Sequence, residues 1–282
     1  MPDTDVQDHA KALHSDLFEV GVFDAVAHKM ALRTWDLDSL LQSEKWLRYQ
    51  NANGKDIYIR PAGEHAMSLV DDLTPQSVAK MREDGVIPAA LVQTSPGNFQ
   101  AWVYHGQVLP KDVSTQIARD LASAYGGDLK AADWRHFGRL AGFTNRKPKH
   151  LQPNGHQPFC RLLWATGQSY DRAGAYITRA ETAVAEQQKA LLAQRREILQ
   201  APVRGPAKTI DAFRNDPRYE GDAHRSDYAY SLYALSHGVP EHQVASAIAG
   251  RDLGKKGNPV QQQRYVEGTI KKALSRIGGL GR

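Results

Sequence analysis

An α+β fold is predicted for this chain of 282 residues, with a mixed sheet covered by helices. Three observations predict it. Short runs that alternate apolar and polar side chains recur between Phe18 and His105. Helical stretches interrupt them in no regular strand–helix–strand order, which argues against a doubly wound sheet. From Asp171 onward the composition turns helical.

The first strand is expected over Phe18 to Asp24 (FEVGVFD), pairing across a short turn with Ala31 to Trp35. Asp36 or Asp38 then caps a helix over SLLQSEKWLRYQ, which stops at the turn formers Asn51, Asn53 and Gly54. Asp56 to Arg60 (DIYIR) is a strand stopped by Pro61, and Met67 to Val70 is another that runs into Asp71 and Asp72. Thr74 and Pro75 open a helix that ends at Gly85. A second hairpin joins Ala89–Thr94 to Phe99–His105 through the turn Ser95-Pro96-Gly97-Asn98, and a helix over Ser114 to Tyr125 closes at Gly126. Ala, Glu, Gln, Arg and Leu dominate Asp171 to Gln200, a long helix broken at Pro202, Gly205 and Pro206. Shorter helices follow around Ile210 to Arg214, Asp227 to Ser236 and Pro240 to Ala249, and a last one starts at Asn258-Pro259 and reaches about Ile277. The expected division is 1–165, a connecting helix and hinge over 166–206, and a small all-α region over 207–282.

Hydrophobic residues at 41% and charged residues at 24% are the composition of a globular protein with a real core. No run approaches the roughly 18 to 20 apolar residues of a membrane helix, and the acidic N-terminus lacks the basic start of a signal peptide, so a cytoplasmic protein is expected. Cys160 is the single cysteine, which excludes an internal disulfide and a multi-cysteine zinc site. The net charge of +5 is modest, but its distribution is uneven. From Trp134 through Tyr170 there is no acid, while Arg135, Arg139, Arg146, Lys147, Lys149 and Arg161 all fall there. Such a run is either a solvated face or, with Trp134, Phe137 and Phe143 interleaved, a surface for phosphates and bases.

Three places could carry chemistry. Asp71 and Asp72 are adjacent carboxylates at a strand end, costly to hold together unless a cation neutralises them; the same residues also suit a plain turn before a helix. Neighbours on a regular strand face opposite ways, so both reach one ion only where the strand ends or bulges. The turn Thr94 to Gln100 puts Asn98 and Gln100 on one face, where they could hold a triphosphate or sugar, or merely close a hairpin. The third place is Asp133 to Lys147 (DWRHFGRLAGFTNRK), one carboxylate among glycines and cations, where Asp133 is either a metal ligand or a surface acid paired with Arg135 or Lys130.

The phrases NANGKDIYIRP, LVDDL, TSPGNFQAWV and DWRHFGRLAGFTNRKPKH resemble those of the RepB-type replication primases of mobilisable plasmids, within the archaeo-eukaryotic primase superfamily. The likeness is close over about residues 18 to 160, and SDYAYSLYALSHGVPEHQVASAI extends it into the C-terminal helices. The resemblance implies a catalytic domain around an RRM-like sheet, a small helical domain after it, and template-directed primer synthesis with Mg²⁺ or Mn²⁺. By position, Asp71 and Asp72 match the first acidic motif, Ser95 to Gln100 the second and Asp133 the third. Many of the wider superfamily have a histidine in the second motif and acids one residue apart in the first; Asn98 and the adjacent acids depart from that, as RepB-type members do.

On this reading Asp71, Asp72 and Asp133 hold divalent metal and are catalytic. Ser95, Asn98, Gln100, Arg135, His136, Arg139, Asn145, Arg146, Lys147 and Lys149 contact nucleotide or DNA. Nucleoside triphosphates and a single-stranded DNA template are the expected partners, with a replicative helicase or initiator alongside. The alternative is a non-catalytic, site-specific DNA-binding initiator, using Asp227 to Ala249 as a helix-turn-helix around Gly238. A relaxase is disfavoured by the histidine spacing, and a P-loop enzyme because Gly250 to Lys255 leaves too few residues between its glycines.

Overall fold

The computed structural model describes residues 4–151, 155–200, 208–219 and 221–279. Contacts divide the chain into two compact units, Met1–Val184 and Ala185–Arg282.

Among the described residues, the first unit holds eight strands in two four-stranded sheets, ordered β2-β1-β3-β7 and β4-β6-β5-β8. β1 (Phe18–Asp24) and β2 (Lys29–Trp35) form the first hairpin, closed where Asp24 Oδ1 accepts from the N–H groups of Val26 and Ala27. Asp36 caps the following helix through Ser39 N–H at 2.8 Å, and the expected single helix divides at Ser43 into α2 (Leu37–Gln42) and α3 (Glu44–Ala52). β3 (Asp56–Pro61) lies between β1 and the two-residue β7 (Gly138–Arg139).

The second sheet contains β4 (Met67–Leu73), β5 (Ala90–Ser95), β6 (Asn98–Tyr104) and β8 (Arg161–Ala165). Its strands β4, β5 and β6 are buried on both faces, and their alternation decides which core each residue joins. Met67, Leu69, Ala90 and Trp102 pack with Val20, Ile57 and Ile59 of the first sheet. Val70, Leu91, Ala101 and Val103 pack with Val78 and Met81 of α4 (Pro75–Glu83), Ile117 and Leu121 of α5 (Lys111–Tyr125), and Ile177 and Ala180 of α6 (Ala173–Gln200). Each large side chain buried in this way contributes about 1.5–3 kcal/mol. α1 (Thr4–Ala12) adds Val6 and Ala10 to the core between the sheets.

The α+β class is what the sequence predicts. Within it, the strands do not share one mixed sheet: all named pairings are antiparallel, because tight turns join the hairpin strands and the rest follow them. α1, β7 and β8 are additions to the elements that the sequence pattern predicts. The break expected at Pro202 to Pro206 lies outside the described residues.

The second unit is helical, with α7 (Ile210–Arg214), α8 (Ala223–Ser236), α9 (Glu241–Ala249) and α10 (Pro259–Gly279) around Ile210, Tyr230, Leu235, Val244, Ile248, Val266 and Ile270. Asn258 caps α10 reciprocally: its side chain accepts from Gln261 N–H, and Gln261 Oε1 accepts from Asn258 N–H. Among the described residues no helix is long and apolar enough to cross a membrane.

Candidate nucleotide and metal site

The β4–β6 ladder is regular from Met67↔Tyr104 to Val70↔Ala101, then shifts so that Leu73 pairs with Phe99. The irregularity falls on Asp71 and Asp72. Asp72 takes φ +58°, a left-handed conformation that Asp tolerates better than most residues. This is the condition under which neighbouring carboxylates escape opposite faces. The loop after α5 fixes the distortion: Asp128 N–H donates to Asp71 O at 3.0 Å, and a side chain on Gly127 would meet Val70 and Asp71 O at 2.8 and 2.9 Å. Only glycine fits that approach.

Both carboxylates are held by amides of β6. Asn98 Nδ2 donates to Asp72 Oδ1 and Gln100 Nε2 to Asp71 Oδ1, each at 2.9 Å. Asp72 N–H donates to Asp71 Oδ1 at 2.7 Å. Among the described residues no cation forms an ion pair with either acid. Their Oδ2 atoms make no hydrogen bond there, and Asp71 is half-buried while Asp72 is exposed. That donor set fits a hard divalent cation, which takes carboxylate oxygens and leaves positions for phosphate and water.

Behind Gln100 lies a buried polar chain. Gln100 Oε1 accepts from Arg139 N–H at 2.7 Å. The Arg139 guanidinium donates to Asp56 Oδ1 at 2.5 Å and to Tyr58 hydroxyl at 3.1 Å. Asp56 Oδ1 also accepts from Arg146 N–H at 2.7 Å. Burial pushes the Tyr58 phenol up to about 12; Arg139 opposes this, and the carboxylates of Asp56 and Asp71 add to it. Burial works against the charge on Arg139, but its bond to Asp56 and its neighbours keep its pKa above the usual arginine value.

The expected phosphate contacts therefore divide. Arg139 and Asn145 are buried, and Asn145 is spent on Thr94 O at 2.9 Å and Lys147 N–H at 3.1 Å. Arg146 is half-buried and donates to Asn51 O and Gln157. Ser95 is buried at the β5–β6 turn. Arg135, Lys147 and Lys149 are exposed. His150, in the same acid-free run, is half-buried; its pKa falls through burial and the charges of Lys149, Lys147 and Arg139, with Asp72 opposing.

Asp133 is half-buried, and its Oδ1 accepts from Arg135 N–H at 2.8 Å. It lines an open cleft of ≈ 410 Å³ with Tyr58, Arg60, Arg135, His136 and Phe137. Asp71 and Asp72 are thus brought together. Asp133 is not joined to them in a cluster: no group of three or more His, Cys, Asp or Glu is arranged around a metal position among the described residues. Of the three interleaved aromatics, Trp134 and Phe137 are half-buried, under Lys111 and Arg60 at 4.9 and 4.2 Å. Phe143 is a correction to the expected base contact: it is 2% exposed, in the core between the sheets.

Paired carboxylates at a strand bulge, met among the described residues by amides and backbone alone, define a site with the donor chemistry for a hard divalent cation. The chain belongs to the RepB DNA-primase family, whose N-terminal domain pattern matches residues 5–190. It is similar to mobilization protein A of Escherichia coli, 35% identical over 94% of this chain and 39% of that protein, so it spans about two fifths of that relative's length. A DNA primase of Acidithiobacillus ferrooxidans is 34% identical over 80% of this chain and 71% of that one. Among solved structures, primase RepB′ matches with a TM-score of 0.65 at 31% identity, covering 99% of this chain and 98% of that one. The catalytic domain of primase RepB′ in complex with initiator DNA matches with a TM-score of 0.62 at 39% identity, covering 66% and 96%.

Proposed function

We propose that this chain is a nucleotidyltransferase that synthesises short primers on single-stranded DNA for the replication of a plasmid or mobile element. The observation that carries the reading is the Asp71–Asp72 pair, turned out of a β-bulge and held by uncharged amides. Family membership and the relative solved with initiator DNA support the substrate class.

Asp71 and Asp72 would hold Mg²⁺ or Mn²⁺. Bound there with nucleotide, the cation would lower the pKa of a primer 3′-hydroxyl and neutralise charge on the departing pyrophosphate. Asp133 lines a cleft with Tyr58 and His136, where it is proposed as a third acid acting on the substrate. The exposed Arg135, Lys147 and Lys149 bind phosphates of template and nucleoside triphosphate. The helical unit is proposed to help bring two nucleotides and a template together at the start of a primer, a step with a large entropic cost. A replicative helicase or initiator is the expected partner.

Incubating the full chain with single-stranded DNA, labelled nucleotides and Mg²⁺ or Mn²⁺ tests this. Short template-dependent products that vanish with chelator are expected. Tight, site-specific DNA binding without any product would instead favour the non-catalytic initiator.

A further inference from the structure

The amide of Gln100 has one orientation compatible with its neighbours. A backbone N–H can only donate, so the Arg139 N–H at 2.7 Å fixes which end of the amide is oxygen. The NH₂ end is thereby turned to Asp71. Arg139 N–H belongs to β7, whose pairing with β3 is two residues long. So short a strand is weakly placed by its own ladder. Its anchor is the Arg139 side chain, which reaches Asp56 and Tyr58 on β3, and the close seat of Gly138 on Trp102, where a Cβ would meet the ring at 2.7 Å.

The Arg139–Asp56 pair is about 96% buried on both sides. Such a pair gives little net stability over apolar residues of the same volume, so stability alone does not account for it. What it supplies is direction. A guanidinium placed beside Asp71 would have neutralised the acid and competed with a cation. An amide set between the two orients the carboxylate and leaves its charge in place.

We infer that Gln100 and the buried Arg139–Asp56 pair are positioning residues that aim the Asp71 carboxylate, and are not contacts to nucleotide phosphate. This rests on the proposed metal-holding role of Asp71. Asn98 does the same for Asp72 from the β5–β6 turn, its Oδ1 accepting from the buried Thr94 hydroxyl at 3.4 Å.

The test uses the full chain as wild type, Gln100→Met and Asp71→Asn. Mn²⁺ affinity is read from the electron paramagnetic resonance of free ion, and kcat and nucleotide KM from primer synthesis at saturating Mn²⁺. Asp71→Asn should lose Mn²⁺ binding. Gln100→Met should weaken it by roughly tenfold or more, the effect of removing a partner that orients a metal ligand, with nucleotide KM little changed. Unchanged Mn²⁺ affinity with a raised nucleotide KM in Gln100→Met would overturn the inference and make Gln100 a nucleotide contact. Wild-type Mn²⁺ affinity in Asp71→Asn would overturn the metal reading of the site itself, and this inference with it. If Gln100→Met does not fold, the wild-type side-chain amide answers instead. Its NH₂ resonances should shift on adding Mg²⁺ alone; a shift that appears only with nucleotide would contradict the positioning role.

Discussion

Asp71–Asp72 in the sheet-containing unit and Asp227 in the helical unit are acids treated in opposite ways. Asp227 is fully buried; its Oδ2 accepts from Arg251 at 2.5 Å and from the Tyr265 hydroxyl at 2.8 Å, and Arg214 lies 3.6 Å from its Oδ1. That bond to Asp227 raises the pKa of Arg251. Among the described residues, Asp71 and Asp72 receive only amide and backbone donors. One acid is thus neutralised by two arginines inside a core, whereas the adjacent pair meets no cation among the described residues, the contrast on which the proposed cation-holding role of Asp71 and Asp72 rests.

The largest expected effect breaks or keeps that contrast at the site. Asp71→Asn and Asp72→Asn should each cut primer synthesis by orders of magnitude, while circular dichroism and the thermal midpoint stay near wild type. Asn tolerates the left-handed backbone of residue 72, so the change removes charge without strain. Asp133→Ala should also lose most activity; normal yield would remove it from the site.

Asp227→Ala should do the reverse. Removing one partner of a buried ion pair leaves uncompensated charge and costs about 3–5 kcal/mol, so the helical unit should melt earlier. A change in stability below about 1 kcal/mol would show that the arginines do not depend on it.

Acid separates the units again. Burial holds the sheet unit's His9 down at about 3, and burial with the charge of His65 holds His105 at about 4, where His105 also bonds Ser68 and Tyr170. Both are depressed below the unfolded value of about 6.5, so their contribution is full above that pH and is lost as pH falls toward the folded values. Each should remove on the order of 3 kcal/mol by pH 4. In the helical unit His224 and His242 are exposed and His237 half-buried. Denaturant titrations at pH 7 and 4.5 should show the sheet unit weakened more; equal loss in both would contradict this.

The smallest effect concerns the exposed cations. Lys147→Ala with Lys149→Ala should flatten the log–log salt dependence of single-strand binding by roughly 0.7 per lost phosphate contact. An unchanged slope would return both to plain solvated surface.

Local signals carried much of this in the sequence. Hairpin turns, the caps at Asp36, Thr74 and Asn258, and the strand running into Asp71–Asp72 were all readable within a few residues of chain. The bulge was legible as a requirement, since adjacent acids on a regular strand face apart. What stayed hidden depends on distant partners. The Arg139–Asp56 bond spans 83 residues, β7 is too short for any periodicity, and Phe143 in a basic run gives no sign that it fills the core. Asp227 reads as a residue of an ordinary helix until the folded chain brings Arg251 and Tyr265 to it.

The central proposal, that Asp71 and Asp72 at the β4 bulge hold a divalent cation, is tested most directly by titrating Mn²⁺ into the full chain and into the Asp71→Asn/Asp72→Asn double variant. Saturable Mn²⁺ binding by the wild type, and its loss in a double variant with unchanged circular dichroism and thermal midpoint, is the predicted result. Equal Mn²⁺ affinity in the two proteins would contradict it.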